Sequence, residues 1–298
     1  MTRAVVAGAG GIGTRIAAGL LRGGAEVRVL ARWERAERWR REGLWLNGER
    51  LALRKGDIRE AAEPGWAAEL VFLAVKGPDL AGAMDDLEAG GWVGEGTGVV
   101  SLLNGIEASE RVKARFGEGR GVAGLVLCNS AVREGTQVRQ EGLFQVVLED
   151  NEGGRRAVAA LRAGGIEAET RGDIRSAQWE KLALNAGLNQ AEALLGLNHG
   201  QLLGNPDARA FMESLTEEAI AVAAAEGVGT EEERAAWRGR IREALGRLSP
   251  EGKTSMLQDV EAGRATEVDF FAGTICRLGR KHGVAVPCNE LVWAAFRG

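Results

Sequence analysis

Ala4-Val5-Val6-Ala7-Gly8-Ala9-Gly10-Gly11-Ile12-Gly13 stands at the start of this chain, and Ile16-Ala17-Ala18-Gly19-Leu20-Leu21 follows almost at once. The first four residues read as a short apolar strand, the glycines as a G-x-G-x-x-G turn, and the next stretch as a helix with its apolar positions on one face. A second strand pattern, Glu26-Val27-Arg28-Val29-Leu30, completes a strand-turn-helix-strand unit. In that setting the glycines let the backbone turn tightly and approach a pyrophosphate, whose charge rests on the N–H groups and positive dipole at the helix start. A chain with 44 glycines in 298 residues produces such strings by chance. The strand before the turn and the helix after it carry the inference. Gly8, Ala9, Gly10, Gly11, Ile12 and Gly13 are therefore expected to hold a dinucleotide.

Working outward, strand-like segments recur at 4–7, 26–31, 70–75, 98–103 and 121–127, with helical or loop sequence between them. That alternation predicts an α/β domain with a Rossmann-like, doubly wound parallel sheet. Segments 135–149 and 165–170 also read as extended, the first split by Glu141-Gly142 in the manner of a hairpin. Strand signals stop after about residue 173. Helical patterns fill the remainder, at 206–226, at 230–248 behind the capping box Thr230-x-x-Glu233, at 253–262 and at 268–282. The expected division is a dinucleotide-binding domain over 1–172 and an all-α substrate and catalytic domain over 173–298.

Ligands of open α/β sheets bind beyond the carboxyl ends of the strands. Polar candidates fall there in succession: the glycine turn, Arg32, Lys76 and Asn104-Gly105. The position after the second strand selects the cofactor, since an acid bonds the ribose 2′-hydroxyl of NAD and a base accommodates the 2′-phosphate of NADP. Arg32 comes first there and favours NADP, while Glu34 leaves NAD open.

In the second half, Trp179-Glu180-Lys181-Leu182-Ala183-Leu184-Asn185-Ala186-Gly187-Leu188-Asn189 puts Lys181, Asn185 and Asn189 at i, i+4 and i+8, one polar stripe on an otherwise apolar helix. Burying an ammonium group and two amides is costly without partners, so such a stripe is either solvated or aimed at a ligand. Residue usage narrows the chemistry. There is no tyrosine, which removes the Tyr-Lys acid of short-chain dehydrogenases, and His199 and His282 are the two histidines. Of 38 basic residues six are lysine and 32 arginine, so a retained lysine hints at a task that a permanently protonated guanidinium cannot perform.

A hydrophobic fraction of 45% with 27% charged residues is ordinary for a globular protein, and a net charge of −4 points to neither nucleic acid nor an anionic membrane as partner. The longest apolar runs, such as Leu70-Val71-Phe72-Leu73-Ala74-Val75, are too short to cross a bilayer, and a cytoplasmic location is expected. Cys128, Cys276 and Cys288 are odd in number and lack C-x-x-C spacing, which argues against a disulfide framework and against structural zinc; no metal site is expected. Homo-oligomer formation is left open.

These residues resemble the ketopantoate reductase (2-dehydropantoate 2-reductase) family over essentially the whole chain. The resemblance rests on Gly8 to Gly13, Lys76, Asn104-Gly105, the 179–189 stretch, Ser255-Met256-Leu257-Gln258-Asp259, and Thr266-Glu267-Val268-Asp269. It implies NADPH-dependent reduction of the 2-keto group of ketopantoate to D-pantoate, a step towards pantothenate and coenzyme A. It further implies that Lys181 is the proton donor and that Asn185, Asn189 and Ser255 are substrate ligands. Asn104 would touch nicotinamide and substrate, and Glu267 and the Ala131 backbone would contact cofactor. One departure stands out: a further family asparagine lines up with His199 in Asn198-His199-Gly200-Gln201-Leu202, and that ligand is not carried over.

The chemistry of the stripe agrees. Hydride addition to a ketone builds negative charge on oxygen, so the site needs a cation able to release a proton. An unperturbed lysine, with a pKa of about 10.4, is charged at neutral pH and can do both. The two amides can donate to the carboxylate and hydroxyl of a small hydroxy acid. Ser255 and Glu267 also have plain readings, as a helix-capping hydroxyl and a helix-start acid. Two rival functions remain: a D-2-hydroxyacid dehydrogenase for other branched 2-keto acids, kept open by His199, and a non-catalytic NADP(H) sensor.

Overall fold

The computed structural model describes residues 1–297. These cluster into two compact units, Met1–Asn104 with Ala108–Ile174, and Gly105–Glu107 with the chain from Arg175 onward. The division after Ile174 lies two residues beyond the expected one. Gly105–Glu107 departs from it because a side chain at Gly105 would stand 3.0 Å from the Phe270 carbonyl oxygen, and Glu107 accepts from Arg277 at 3.1 Å.

From the N-terminus the elements are β1 (Arg3–Ala7), α1 (Gly11–Arg22), β2 (Glu26–Leu30), α2 (Trp33–Glu42), β3 (Trp45–Leu46), β4 (Glu49–Arg50), β5 (Ile58–Arg59), β6 (Ala68–Leu73), α3 (Leu80–Ala89), β7 (Val93–Ser101), α4 (Glu107–Phe116), β8 (Gly121–Val122), β9 (Gly124–Glu134), β10 (Gln137–Glu149), α5 (Glu152–Ala163) and β11 (Glu167–Arg171). Six of the strands form a sheet in the order β5-β2-β1-β6-β7-β8, every pairing parallel. This is the doubly wound sheet expected from the sequence. β1 lies between β2 and β6 and is buried on both faces, Val5 and Val6 having no exposure, which is why it reads as a continuous apolar run. α1 buries Ile16, Ala17 and Leu20, the face expected from its spacing. Arg28 on β2 is the exception to the apolar rule; its guanidinium is paired with Asp57 and with Glu26 at 2.8 Å, which compensates its burial.

The second sheet runs β11-β10-β3-β4, with β9 antiparallel to β10. Here the hairpin expected at Glu141-Gly142 is not found. β10 is continuous from Gln137 to Glu149, the register slips between Glu141 and Phe144, and the turn lies at Gly135-Thr136. Gly142, at φ +69°, absorbs the extra residue of a bulge, a conformation that only glycine adopts cheaply. A glycine at φ > 0 looks alike in a bulge and in a turn when only sequence is read.

The second unit is helical: α6 (Ile174–Leu195), α7 (His199–Gly204), α8 (Pro206–Ala225), α9 (Glu231–Gly246), α10 (Ser255–Glu261), a 3-10 turn at Val268–Phe270, α11 (Ala272–His282) and α12 (Pro287–Ala295). The Thr230/Glu233 capping box forms as expected, Glu233 N–H donating to Thr230 Oγ1 at 3.2 Å. The helix expected over 268–282 instead begins with the 3-10 turn and breaks at Phe271. Fully buried amides tie the helices together. Gln190 on α6 donates to Asn289 Oδ1 at 3.0 Å and accepts from the Ala272 N–H at 2.8 Å, and Asn289 donates to Glu218 on α8 at 2.8 Å.

Glu226, just past α8, accepts from Lys281 at 2.7 Å and from His282, and pairs with Arg175 at 3.1 Å. Hydrogen bonds from Lys281 and then His282 hold its carboxyl below the usual range. A depressed carboxylate adds stability above the unfolded pKa of about 4.3, and that stability is lost as pH falls through the folded value. Glu226→Gln is therefore expected to lower unfolding free energy by about 1 to 2 kcal/mol at pH 7. Denaturant melts should show the gap from the unsubstituted protein closing as pH drops below about 5.

Candidate active site

The first unit carries the glycine turn and the residues expected around it. Because the main sheet is parallel, the residues after β1, β2, β6 and β7 all emerge at one edge, and Gly8, Arg32, Lys76 and Asn104 lie just past these four ends. Each glycine of the turn has its own task. Gly8 has φ +95°, and a Cβ there would stand 2.7 Å from the Ala74 carbonyl oxygen. At Gly13 a Cβ would stand 1.9 Å from the Gly8 carbonyl oxygen, so the first turn of α1 packs directly on the loop that precedes it. At Gly11 it would meet the Ala131 carbonyl oxygen at 2.6 Å, which places Ala131 of β9 against the glycine turn. Gly10 differs: a Cβ there would meet nothing within 4 Å. Gly10 is also the residue that opens α1, with no side-chain cap. An open N-terminus with glycine in front of it is a cradle that a pyrophosphate fits. Ala9 is buried beneath the turn, and Ile12 packs on the core.

Arg32 is exposed and precedes the first residue of α2, as the selector position requires. Its guanidinium lies 5.7 Å from the centre of the exposed Trp33 ring and forms an ion pair with Asp86 of α3. Nothing in the sequence signals Asp86, which lies 54 residues further on. Lys76 is exposed at the start of a short 3-10 turn, and Asn104 is half-buried beyond β7.

The second unit carries the polar stripe. Along α6, Lys181 and Asn185 are half-buried and Asn189 is 8% exposed, while Trp179, Leu182, Ala183 and Ala186 fill the core beside them. The stripe therefore runs from half-buried at Lys181 and Asn185 to buried at Asn189. Ser255 is exposed as the first residue of α10, and the helix is capped by Thr254, whose hydroxyl accepts from the Leu257 N–H at 3.4 Å. The capping reading of Ser255 thus passes to its neighbour. Glu267 is half-buried, and its carbonyl accepts from the Phe270 N–H at 2.9 Å at the start of the 3-10 turn. His199 is buried as the first residue of α7, and its Nδ1 bonds Glu192 of α6. Glu192 has no exposure, and its one mark in the sequence is that of an acid inside the run Ala191-Glu192-Ala193.

Among the described residues no group of three metal-ligating side chains occurs, and no helix is long and apolar enough to cross a membrane.

Residues 4–153 match the family model described as Ketopantoate reductase PanE/ApbA, and residues 173–298 match the one described as Ketopantoate reductase PanE/ApbA C terminal. The chain belongs to the ketopantoate reductase family. It is thus an oxidoreductase dependent on a nicotinamide dinucleotide, which sets aside the non-catalytic sensor. The 2-dehydropantoate 2-reductase of Halobacterium salinarum is 29% identical, over 96% of this chain and 94% of that protein. The crystal structure of a PanE/ApbA family ketopantoate reductase from Ralstonia eutropha superposes with a TM-score of 0.86 at 29% identity, covering 99% of this chain and 97% of the other. A D-mandelate dehydrogenase solved with NADH and anilino(oxo)acetate shares the fold, with a TM-score of 0.86 at 24% identity over 99% and 97% of the two chains.

The glycine geometry separates binding from folding. Gly10→Ala, at a φ of −79° that alanine adopts freely, is expected to leave the melting temperature nearly unchanged. Its methyl group would occupy the cradle, and dinucleotide Kd should rise about tenfold or more. Gly13→Ala should instead cost about 1 to 3 kcal/mol of stability or more, through overpacking against backbone. Calorimetry and dinucleotide titration on the two variants check both.

Proposed function

We propose that this protein reduces ketopantoate to D-pantoate with NADPH. The observation that best supports the reading is the polar stripe of α6, with Lys181, Asn185 and the nearly buried Asn189 held among core residues, in a chain that matches the family along both units. A partly buried lysine and two amides in register suit a small anionic substrate whose oxygen becomes more negative as it reacts.

The dinucleotide would rest its pyrophosphate on the Gly8–Gly13 turn, with Ala131, Lys76 and Asn104 as further contacts. When bound, it would supply the hydride for the 2-keto carbon. The chain's own residues do the rest. Lys181 holds a proton on Nζ, attracts the keto oxygen while charge grows there, and transfers the proton to it as the alcohol forms. Asn185 and Asn189 donate amide hydrogens to the substrate's carboxylate and hydroxyl, and Ser255 adds a hydroxyl contact. Being neutral, the amides orient the anion without competing with Lys181 for protonation.

Arg32 is the proposed reader of the 2′-phosphate, and its ion pair with Asp86 gives that phosphate a competitor. A second reading, a related dehydrogenase for other branched 2-keto acids, draws support from His199, whose Nδ1 is turned to Glu192 where the family has a substrate asparagine.

Initial-rate kinetics on a panel of 2-keto acids and both cofactors test these readings. Ketopantoate should exceed 2-ketoisovalerate in kcat/KM by about 100-fold or more, since a site built around a substrate hydroxyl rejects the analogue lacking it. Equal values would promote the second reading. Arg32→Ala should raise KM for NADPH about tenfold and spare NADH, whereas Asp86→Asn should shift the preference further towards NADPH.

Lys181→Ala should lower kcat by about 10² to 10⁴ in a protein that still folds and binds dinucleotide. Lys181→Arg is the sharper variant, because it keeps the charge but holds its proton at neutral pH. A donor role predicts little rescue by arginine, while a purely electrostatic role predicts substantial rescue. Turnover in the alanine variant near that of the unsubstituted protein would defeat both.

A further inference from the structure

Glu192 is a carboxylate with no solvent exposure in the middle of α6. Its two oxygens are used differently. Oε2 accepts the backbone N–H of Thr254 at 2.9 Å, and Oε1 is bonded by His199 Nδ1. The backbone reinforces the same junction. His199 N–H donates to the Gly252 carbonyl at 3.1 Å, and Gly200 N–H donates to the Pro250 carbonyl at 2.8 Å. A Cβ on Gly252 would stand 2.5 Å from His199 Cδ2, so the imidazole lies directly against the 249–252 turn. That turn leads into Thr254, the cap of α10, and then into Ser255, its first residue.

A buried carboxylate is costly unless its oxygens are matched by donors, and the loss of one donor loosens the geometry of the other. The two donors here come from different segments: the ring at the start of α7 and the amide at the start of α10. Holding one holds the other. We propose that His199 is a positioning residue: acting through Glu192, it fixes the turn before α10 and so the place from which the Ser255 hydroxyl reaches a 2-keto acid. The inference rests on the reading of Ser255 as a substrate ligand. It also assigns the one departure from the family pattern, since the ring nitrogen that could have replaced the asparagine amide is engaged with Glu192.

Histidine's two nitrogens allow a discriminating pair of variants. Asparagine places an amide nitrogen near the position of Nδ1, whereas glutamine places one near that of Nε2. His199→Asn, His199→Gln and Glu192→Ala are compared by steady-state kinetics with NADPH and whichever 2-keto acid the unsubstituted protein reduces fastest. Hydrogen exchange at the Thr254 and Leu257 amides is measured in parallel. His199→Gln and Glu192→Ala should raise KM for the keto acid about tenfold with kcat within about twofold, and the two amides should exchange about tenfold faster. His199→Asn should stay within about threefold of the unsubstituted protein on all three measures. Rescue by glutamine and not by asparagine would overturn the proposal in favour of direct contact through Nε2. Unchanged KM and exchange in every variant would reduce the pair to a fold contact. If Glu192→Ala fails to fold, the asparagine and glutamine contrast still decides. Failure of the unsubstituted protein to reduce any 2-keto acid would sink the functional reading, while the exchange data would still judge whether His199 holds the turn.

Discussion

The first unit depends on the contact between the first turn of α1 and the end of β1. Gly13 approaches the Gly8 carbonyl so closely that a single methyl group would not fit. That closeness brings the N–H groups at the start of α1 to the carboxyl edge of the sheet. β2 and β6 flank β1 on its two sides, so the residues that follow them emerge beside the same turn. Arg32 and Lys76 owe their positions to parallel pairing, and Ala131 owes its position to the second sheet, whose β9 meets the turn at Gly11.

The second unit solves a different problem, that of keeping polar groups at depth along one helix. α6 carries Lys181, Asn185 and Asn189 on its polar stripe, and Gln190 and Glu192 are wholly buried further along it. The last two are satisfied by the protein itself: Gln190 by α11 and α12, Glu192 by α7 and the start of α10. A helix pinned by satisfied buried polar groups is held in one register, and this suits it to present a lysine and two amides at fixed spacing.

Some of this was legible because the physics is local. The glycine turn, the alternation of strands with helices, the Thr230 capping box and the i, i+4, i+8 stripe all follow from periodicity and backbone sterics over a few residues. The reading failed where a local signal had two solutions. Gly142 at positive φ served a bulge instead of a hairpin turn, because the register of β10 against β9 is settled over its whole length and not by one glycine. Ser255 and Thr254 are both hydroxyl residues at a helix start, and only the backbone geometry shows that Thr254 is the cap.

The sequence by itself determined the dinucleotide turn, the two-part organisation and the residue types of the stripe, because each is written in neighbouring residues. Only the tertiary structure decided that Asp86 shares Arg32, that Glu192 binds His199 and the Thr254 amide, and that the Ala131 carbonyl faces Gly11. These partners lie far apart along the chain or on different elements, and a charge or an amide carries no mark of the group it will meet. Their pairing follows from packing, which brings buried donors and acceptors together because leaving either one unmatched costs more than ordering both.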